Sequence, residues 1–171
     1  VPGDGPGNTG VGRFGAAQII TGDVGCKSAR SIVDSPIGLL FQSDKGIYIL
    51  TKQYGVKYIG APVEAYNAQT ITDAVLSTTR SHIVFMTSAG RALLYDYLFG
   101  QWSTFTNHEG NAACMWQDTL CYARNDGRVY RETTTDFTDA GAPVKLRIET
   151  AWIKLRQLQG FMRVRRALVL G

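Results

Sequence analysis

Eight short runs of β-branched and aromatic residues, each cut off by a turn, dominate the chain between residues 37 and 131. They are Leu39-Leu40-Phe41, Ile47-Tyr48-Ile49-Leu50, Val56-Lys57-Tyr58-Ile59, Ile83-Val84-Phe85-Met86, Leu93-Leu94-Tyr95, Trp102-Ser103-Thr104-Phe105, Leu120-Cys121-Tyr122-Ala123 and Val129-Tyr130. Such side chains pack well on a pleated surface, and runs this short fit strands rather than helices. The segments between them include Ser43-Asp44-Lys45-Gly46, Ser88-Ala89-Gly90, Phe99-Gly100-Gln101 and Asn125-Asp126-Gly127. Asp126-Gly127 predicts a type I′ hairpin turn, which needs positive φ at both central residues. One or two helical turns are expected over Glu64-Ala65-Tyr66-Asn67-Ala68-Gln69. The expected fold class is all-β.

Aligning the turns on their glycines brings out a repeat. Phe41…Gly46…Leu50 and Phe85…Gly90…Leu94 share an aromatic at the start, a small hydroxyl two or three residues later, glycine at the sixth position and leucine at the tenth. Tyr122…Gly127…Tyr130 is a third copy. The glycines stand 44 and 37 residues apart, close to the roughly 40–50 residues of a four-stranded propeller blade. Tyr95-Asp96 followed by Trp102 resembles the hairpin of kelch-type blades, without the kelch glycine doublet. Gly46, Gly90, Asp96, Trp102 and Gly127 are thus expected to be blade-building residues. A lone hairpin cannot bury both of its apolar faces, so such units stack. A closed propeller takes four to eight blades, so an incomplete ring is expected within this chain. With its start at Val1 and its end on strand-like residues, it reads as a piece of something longer.

The charge is unevenly placed. Of 171 residues, 44% are hydrophobic and 19% charged, and the net charge is +4. That composition excludes a disordered chain, and no apolar run is long enough for a membrane helix. Residues 144–171 hold seven basic side chains against one acid, Glu149, whereas the first 143 residues hold 11 basic against 13 acidic. In this end segment Val144, Leu146 and Ile148 alternate with Lys145, Arg147 and Glu149, the pattern of a longer strand with one apolar face. A second strand runs from Arg163 to Leu170. Lys154, Arg156, Arg163, Arg165 and Arg166 are candidates for contact with DNA or a neighbouring subunit, and a solvated strand face is the alternative.

Other chemistry is weakly marked. GxGxxG occurs twice in the glycine-rich arm, at Gly5-Pro6-Gly7-Asn8-Thr9-Gly10 and Gly10-Val11-Gly12-Arg13-Phe14-Gly15. Neither copy has the preceding strand and following helix that a dinucleotide needs, so no cofactor is expected. His82, His108 and the three cysteines show no short ligand spacing, which leaves no metal site, and both histidines read as surface or loop residues. Cys26, Cys114 and Cys121 read as buried free thiols, although Cys114 and Cys121 could meet across a hairpin. Ser43-Asp44-Lys45-Gly46 and Asn125-Asp126-Gly127 resemble the Asp-box turn of sialidase-like propellers. Hydrolysis would need two carboxylates aimed into one cleft, and nothing in the sequence brings together Glu64, Asp96 and Glu132. The chain is therefore not expected to be an enzyme. A carbohydrate- or receptor-binding propeller module is the alternative, with Tyr97, Trp102 and Trp116 as its candidate aromatics.

An ordered set of stretches resembles the tail-nozzle or tail-hub (packaged-DNA stabilisation) family of short-tailed double-stranded DNA bacteriophages. It comprises Asp23-Val24-Gly25-Cys26, Arg30-Ser31-Ile32-Val33, Gly38-Leu39-Leu40-Phe41-Gln42-Ser43-Asp44-Lys45-Gly46-Ile47-Tyr48-Ile49-Leu50 and Tyr58-Ile59-Gly60-Ala61-Pro62-Val63-Glu64-Ala65-Tyr66. Leu94-Tyr95-Asp96-Tyr97, Gln101-Trp102-Ser103, Thr150-Ala151-Trp152-Ile153 and Gly160-Phe161-Met162-Arg163-Val164-Arg165-Arg166 complete it. The resemblance implies a non-enzymatic virion part, assembled in the host cytoplasm, that forms a six-fold homo-oligomeric ring under the portal. Its partners would be the portal or adaptor and other tail proteins, with non-specific contact to duplex DNA in the channel and no membrane. The expected organisation is a glycine-rich arm and lead-in strand over residues 1–36, three propeller-like blades over 37–139, and a basic β-strand segment over 140–171 belonging to a second, platform region.

Overall fold

The computed structural model describes residues 19–133, 135, 136, 138, 139 and 141–143. They form strands joined by turns and by two short 3-10 segments, Ala29–Ser31 and Ala61–Tyr66. The chain divides into two compact units, Val1–Asp136 and Phe137–Gly171. In the second, the two-residue strands Thr138–Asp139 and Ala142–Pro143 pair antiparallel.

The first unit holds three open antiparallel sheets, each a meander in chain order. Sheet 1 is β1 (Val33–Ser35), β2 (Gly38–Ser43), β3 (Gly46–Thr51) and β4 (Val56–Tyr58). Sheet 2 is β5 (Ile71–Ser77), β6 (His82–Thr87), β7 (Arg91–Asp96) and β8 (Gln101–Thr106). Sheet 3 is β9 (Ala112–Trp116), β10 (Thr119–Ala123) and β11 (Val129–Arg131). The eight runs singled out between residues 37 and 131 lie on these strands, apart from Ile59, which follows β4; the two strands expected in the basic end segment lie outside the described residues.

The sheets stack face to face in chain order. Successive strand residues point to opposite faces, and the two apolar clusters show where each face goes. Leu40, Ile47, Ile49 and Val33 of sheet 1 pack against Ile71, Ile83, Phe85, Leu93 and Tyr95 of sheet 2. From the opposite face of sheet 2, Val84, Met86, Ala92 and Leu94 pack against Leu120 and Tyr122 of sheet 3. Each sheet thus has a front, turned toward the sheet before it, and a rear, turned toward the sheet after it. Phe41, Phe85 and Tyr122, the repeat's aromatics, all lie on the front. The first strands adjoin one another, β1 with β5 and β5 with β9. The sheets therefore fan out from neighbouring first strands, as blades do.

Three local expectations are corrected. The segment expected to be helical at residues 64–69 is a 3-10 stretch starting earlier, at Ala61–Tyr66, with Pro62 in its first turn. Asp126-Gly127 is not a type I′ turn, since Gly127 has φ +77° but Asp126 is not among the residues of positive φ. The loop instead has three residues between Arg124 and Arg128, with Gly127 N–H donating to Arg124 O and Arg124 N–H to Arg128 O. A two-residue turn with both φ values positive occurs at Gln117-Asp118, at 49° and 57°. Finally, the two leucines aligned by the repeat lie on opposite faces. Phe41 faces Tyr48 across its hairpin and Phe85 faces Leu93, so the second hairpin is one residue longer. The true counterpart of Leu50 is Tyr95: Leu50 follows Tyr48, and Tyr95 follows Leu93, by two residues on the front face.

Candidate functional site

The five basic candidates, Lys154, Arg156, Arg163, Arg165 and Arg166, lie outside the described residues, as do both GxGxxG copies. The blade-building candidates lie within them. Gly46 has φ +119°, and a Cβ there would come within 2.6 Å of Asn67 Nδ2 and 2.8 Å of Tyr58 Cε2. Any side chain would therefore be strained and would also displace a hydrogen-bonded pair, since Asn67 Nδ2 donates to Tyr58 Oη. Gly90 and Gly127 hold the left-handed positions of the two longer hairpin loops.

Asp96 fastens the next turn. One carboxylate oxygen accepts the backbone N–H of Leu98 at 2.9 Å and of Phe99 at 3.0 Å. The other lies 3.7 Å from His82 Nε2. Trp102 pairs directly with Tyr95 across β7 and β8, ring centroids 4.8 Å apart, and its indole N–H donates to Ile59 O at 2.8 Å. That bond crosses from sheet 2 to the end of sheet 1, so the Tyr-Asp…Trp hairpin works as an inter-sheet fastening. Burial, and secondarily the Asp96 carboxylate, raise the Tyr95 phenol above its usual range.

Polar side chains that the sequence analysis passed over complete both seams. Gln42, 1% exposed, donates from Nε2 to Gln69 O at 2.6 Å and accepts from Ile71 N–H at 3.0 Å. Ser28 Oγ donates to Ile71 O at 3.1 Å. At the second seam, Asp73 Oδ2 accepts the Ala113 N–H at 2.7 Å, and Thr72 Oγ1 donates to Gly110 O. Met86 occupies the place in sheet 2 that Gln42 holds in sheet 1, and a Cβ on Gly110 would come within 2.7 Å of its Cε. Glycine at 110 lets that methyl group close over the start of β9. These residues carry no repeat signature, because the same task falls to an amide in one seam and to a carboxylate with a thioether in the other.

The candidates for hydrolysis and sugar binding fall apart in space. Asp96 is occupied at its turn, Glu132 forms an ion pair with Arg80 at 2.6 Å, and Glu64 is exposed on the 3-10 stretch. Trp102 and Tyr97 pack against the core between sheets 1 and 2, whereas Trp116, 62% exposed, belongs to sheet 3. Both histidines are half-buried; His82 opens β6, and His108 lies in the loop after β8, where its Nδ1–H donates to Thr106 O at 3.1 Å and its ring stacks on Tyr122. The three cysteines are free, but only Cys121 is buried; Cys26 and Cys114 are exposed. Cys114 and Cys121 are direct cross-strand partners. Among the described residues there is no group of three or more metal-ligating side chains.

Two concavities stand out among the described residues. One, of about 370 Å³, is lined by Arg80, Thr119, Arg131, Glu132 and Thr133. The other, of about 320 Å³, is apolar and lies on the front of sheet 1, between Leu39, Phe41, Leu50 and Val56 and the lead-in residues Ile20 and Val24. Compared with protein-family models and with curated proteins, the chain matches none.

Proposed function

We propose that this chain is a non-enzymatic virion structural protein. It would be part of a tail nozzle or hub that attaches below the portal, retains packaged DNA and forms the channel for its ejection. Support comes from where the residues carrying the family resemblance lie. Leu40, Ile47 and Ile49 form the rear of sheet 1, Leu94 and Tyr95 the two faces of β7, and Trp102 the fastening to Ile59. They build seams between sheets, and that placement is the observation on which the proposal rests. A scaffold of stacked sheets is what a channel wall needs, whereas a hydrolase or lectin would need convergent exposed groups.

Lys154, Arg156, Arg163, Arg165 and Arg166 would contact either the duplex or a neighbouring subunit. A duplex that must be held and later released favours few phosphate contacts, because each neutralised phosphate adds to affinity. Imaging of the purified chain with the products of its neighbouring genes should show rings docked on a portal-type assembly. A monomer retained on a glycan array would overturn this proposal in favour of the carbohydrate-binding alternative. Changing Arg163, Arg165 and Arg166 together to Ser should weaken ring assembly or genome retention. Unchanged assembly and retention would return these residues to a solvated strand face.

A further inference from the structure

Cross-strand pairing makes the three sheets superimposable residue by residue. Leu39, Phe41 and Tyr48 on the front of sheet 1 correspond to Ile83, Phe85 and Leu93 of sheet 2 and to Leu120, Tyr122 and Tyr130 of sheet 3. On the rear, Leu40, Gln42, Ile47 and Ile49 correspond to Val84, Met86, Ala92 and Leu94, and then to Cys121, Ala123, Val129 and Arg131. Twice within the chain, a rear of this kind meets a front of this kind. Among the described residues, no sheet lies against the front of sheet 1 or the rear of sheet 3. The lead-in covers the former only in part, since Ile19 and Ile20 are 88% and 49% exposed. On the latter, Val129 and Trp116 are 75% and 62% exposed.

The two end faces depart from the inner ones in a matched way. Asp34, exposed, stands on the front of sheet 1 where sheets 2 and 3 carry Leu76 and Met115. Arg131, exposed, stands on the rear of sheet 3 where sheets 1 and 2 carry Ile49 and Leu94. One end face thus gains an acid and the other a base, each beside apolar residues of the inner type.

We propose that a second copy of this chain supplies the missing neighbour, the rear of its sheet 3 docking on the front of sheet 1. The same contact made reciprocally would close two chains into a ring of six sheets. Six falls within the four to eight that propeller-like rings accommodate. A front-to-rear contact is heterologous, and such contacts end either in a closed ring or in an open fibre. The neighbouring first strands β1, β5 and β9 set the sheets fanning from one side, the arrangement that closes. The dimer rests on sheet stacking alone and not on the virion proposal. A six-chain ring would have three times its mass, so the two can fail separately.

Sedimentation equilibrium of the full 171-residue chain should give a discrete species of twice the 18.7 kDa chain mass. Val129→Asp would bury a carboxylate in both reciprocal contacts and should raise the dissociation constant on the order of 30-fold or more. Because Val129 is 75% exposed, its circular dichroism should be unchanged. Asp34→Arg, at an exposed position of the opposite face, should weaken the dimer too, and adding Arg131→Asp to it should recover part of the loss. A monomer at all concentrations, an open-ended ladder of oligomers, or a dimer indifferent to both single variants would overturn the proposal.

Discussion

Sheets 1 and 2 have the same strand order and the same hairpin aromatic, yet they are stabilised differently. Sheet 2 is covered on both faces, so β6 from Ile83 to Thr87 is buried without a break. Sheet 1 has a full partner only at its rear, and its front residues Leu39, Tyr48 and Leu50 are half-buried. The difference teaches that burial here follows position in the stack rather than sequence. A continuous apolar run marks a sheet with two neighbours, as in any sheet covered on both faces.

The largest effect should come from testing that difference directly. Phe85→Ala removes a ring that is fully buried between sheets 1 and 2 and should cost about 3–5 kcal/mol. Leu39→Ala, at a half-buried position on the front of sheet 1, should cost clearly less, on the order of half. Equal losses in denaturant melts would erase the distinction between the two sheets. Next in size is the polar seam. Gln42→Ala would leave Gln69 O and Ile71 N–H buried without their partner and should cost about 2–4 kcal/mol. Gln42→Met, which copies Met86 of the second seam, should lose as much; recovery of wild-type stability would mean that shape alone matters there. Trp102→Phe keeps most of the stacking on Tyr95 but loses the bond to Ile59 O, for about 1 kcal/mol.

The smallest effect contrasts the exposed third hairpin with the buried seams. Asp126 accepts the Arg128 N–H and then the Tyr130 hydroxyl, and these bonds hold its carboxyl below the ordinary 3.8. A depressed carboxyl stabilises the fold above its unfolded value. That contribution should be complete at neutral pH and vanish as pH falls below 3.8 toward the lowered folded value. Exchange of the Arg128 amide, followed by NMR, should accelerate in that window, and Asp126→Asn should remove the pH dependence.

Much of this architecture was legible in the sequence, and what was not has a common cause. The second, third and fourth strands carry β-branched and aromatic side chains on broad faces, and these the sequence displays. The first strands were the least legible: Ile71–Ser77 was missed, Val33–Ser35 was covered only by a lead-in strand expected somewhere in residues 1–36, and Ala112–Trp116 only by the hairpin in which Cys114 and Cys121 could meet. These strands adjoin one another, and there Asp73, Thr72 and Gly110 serve hydrogen bonds and close approach in place of apolar area. Their pattern therefore resembles a loop. The misplaced leucine of the repeat has a different origin. Glycine marks where a hairpin turns but not its length, and one extra residue between Phe85 and Leu93 reverses the face of everything after it. The inter-sheet bonds of Gln42 were invisible because they join residues 29 positions apart.

The chain-order stacking has a consequence for how the molecule is made. Sheet 1 is complete by Tyr58, well before the first residue of sheet 2, Ile71, is synthesised. A domain growing from its N-terminus at roughly 5–20 residues per second therefore presents a finished rear surface to each sheet as it emerges. Assembly can advance vectorially, every new meander condensing on the last, without waiting for distant segments to find one another.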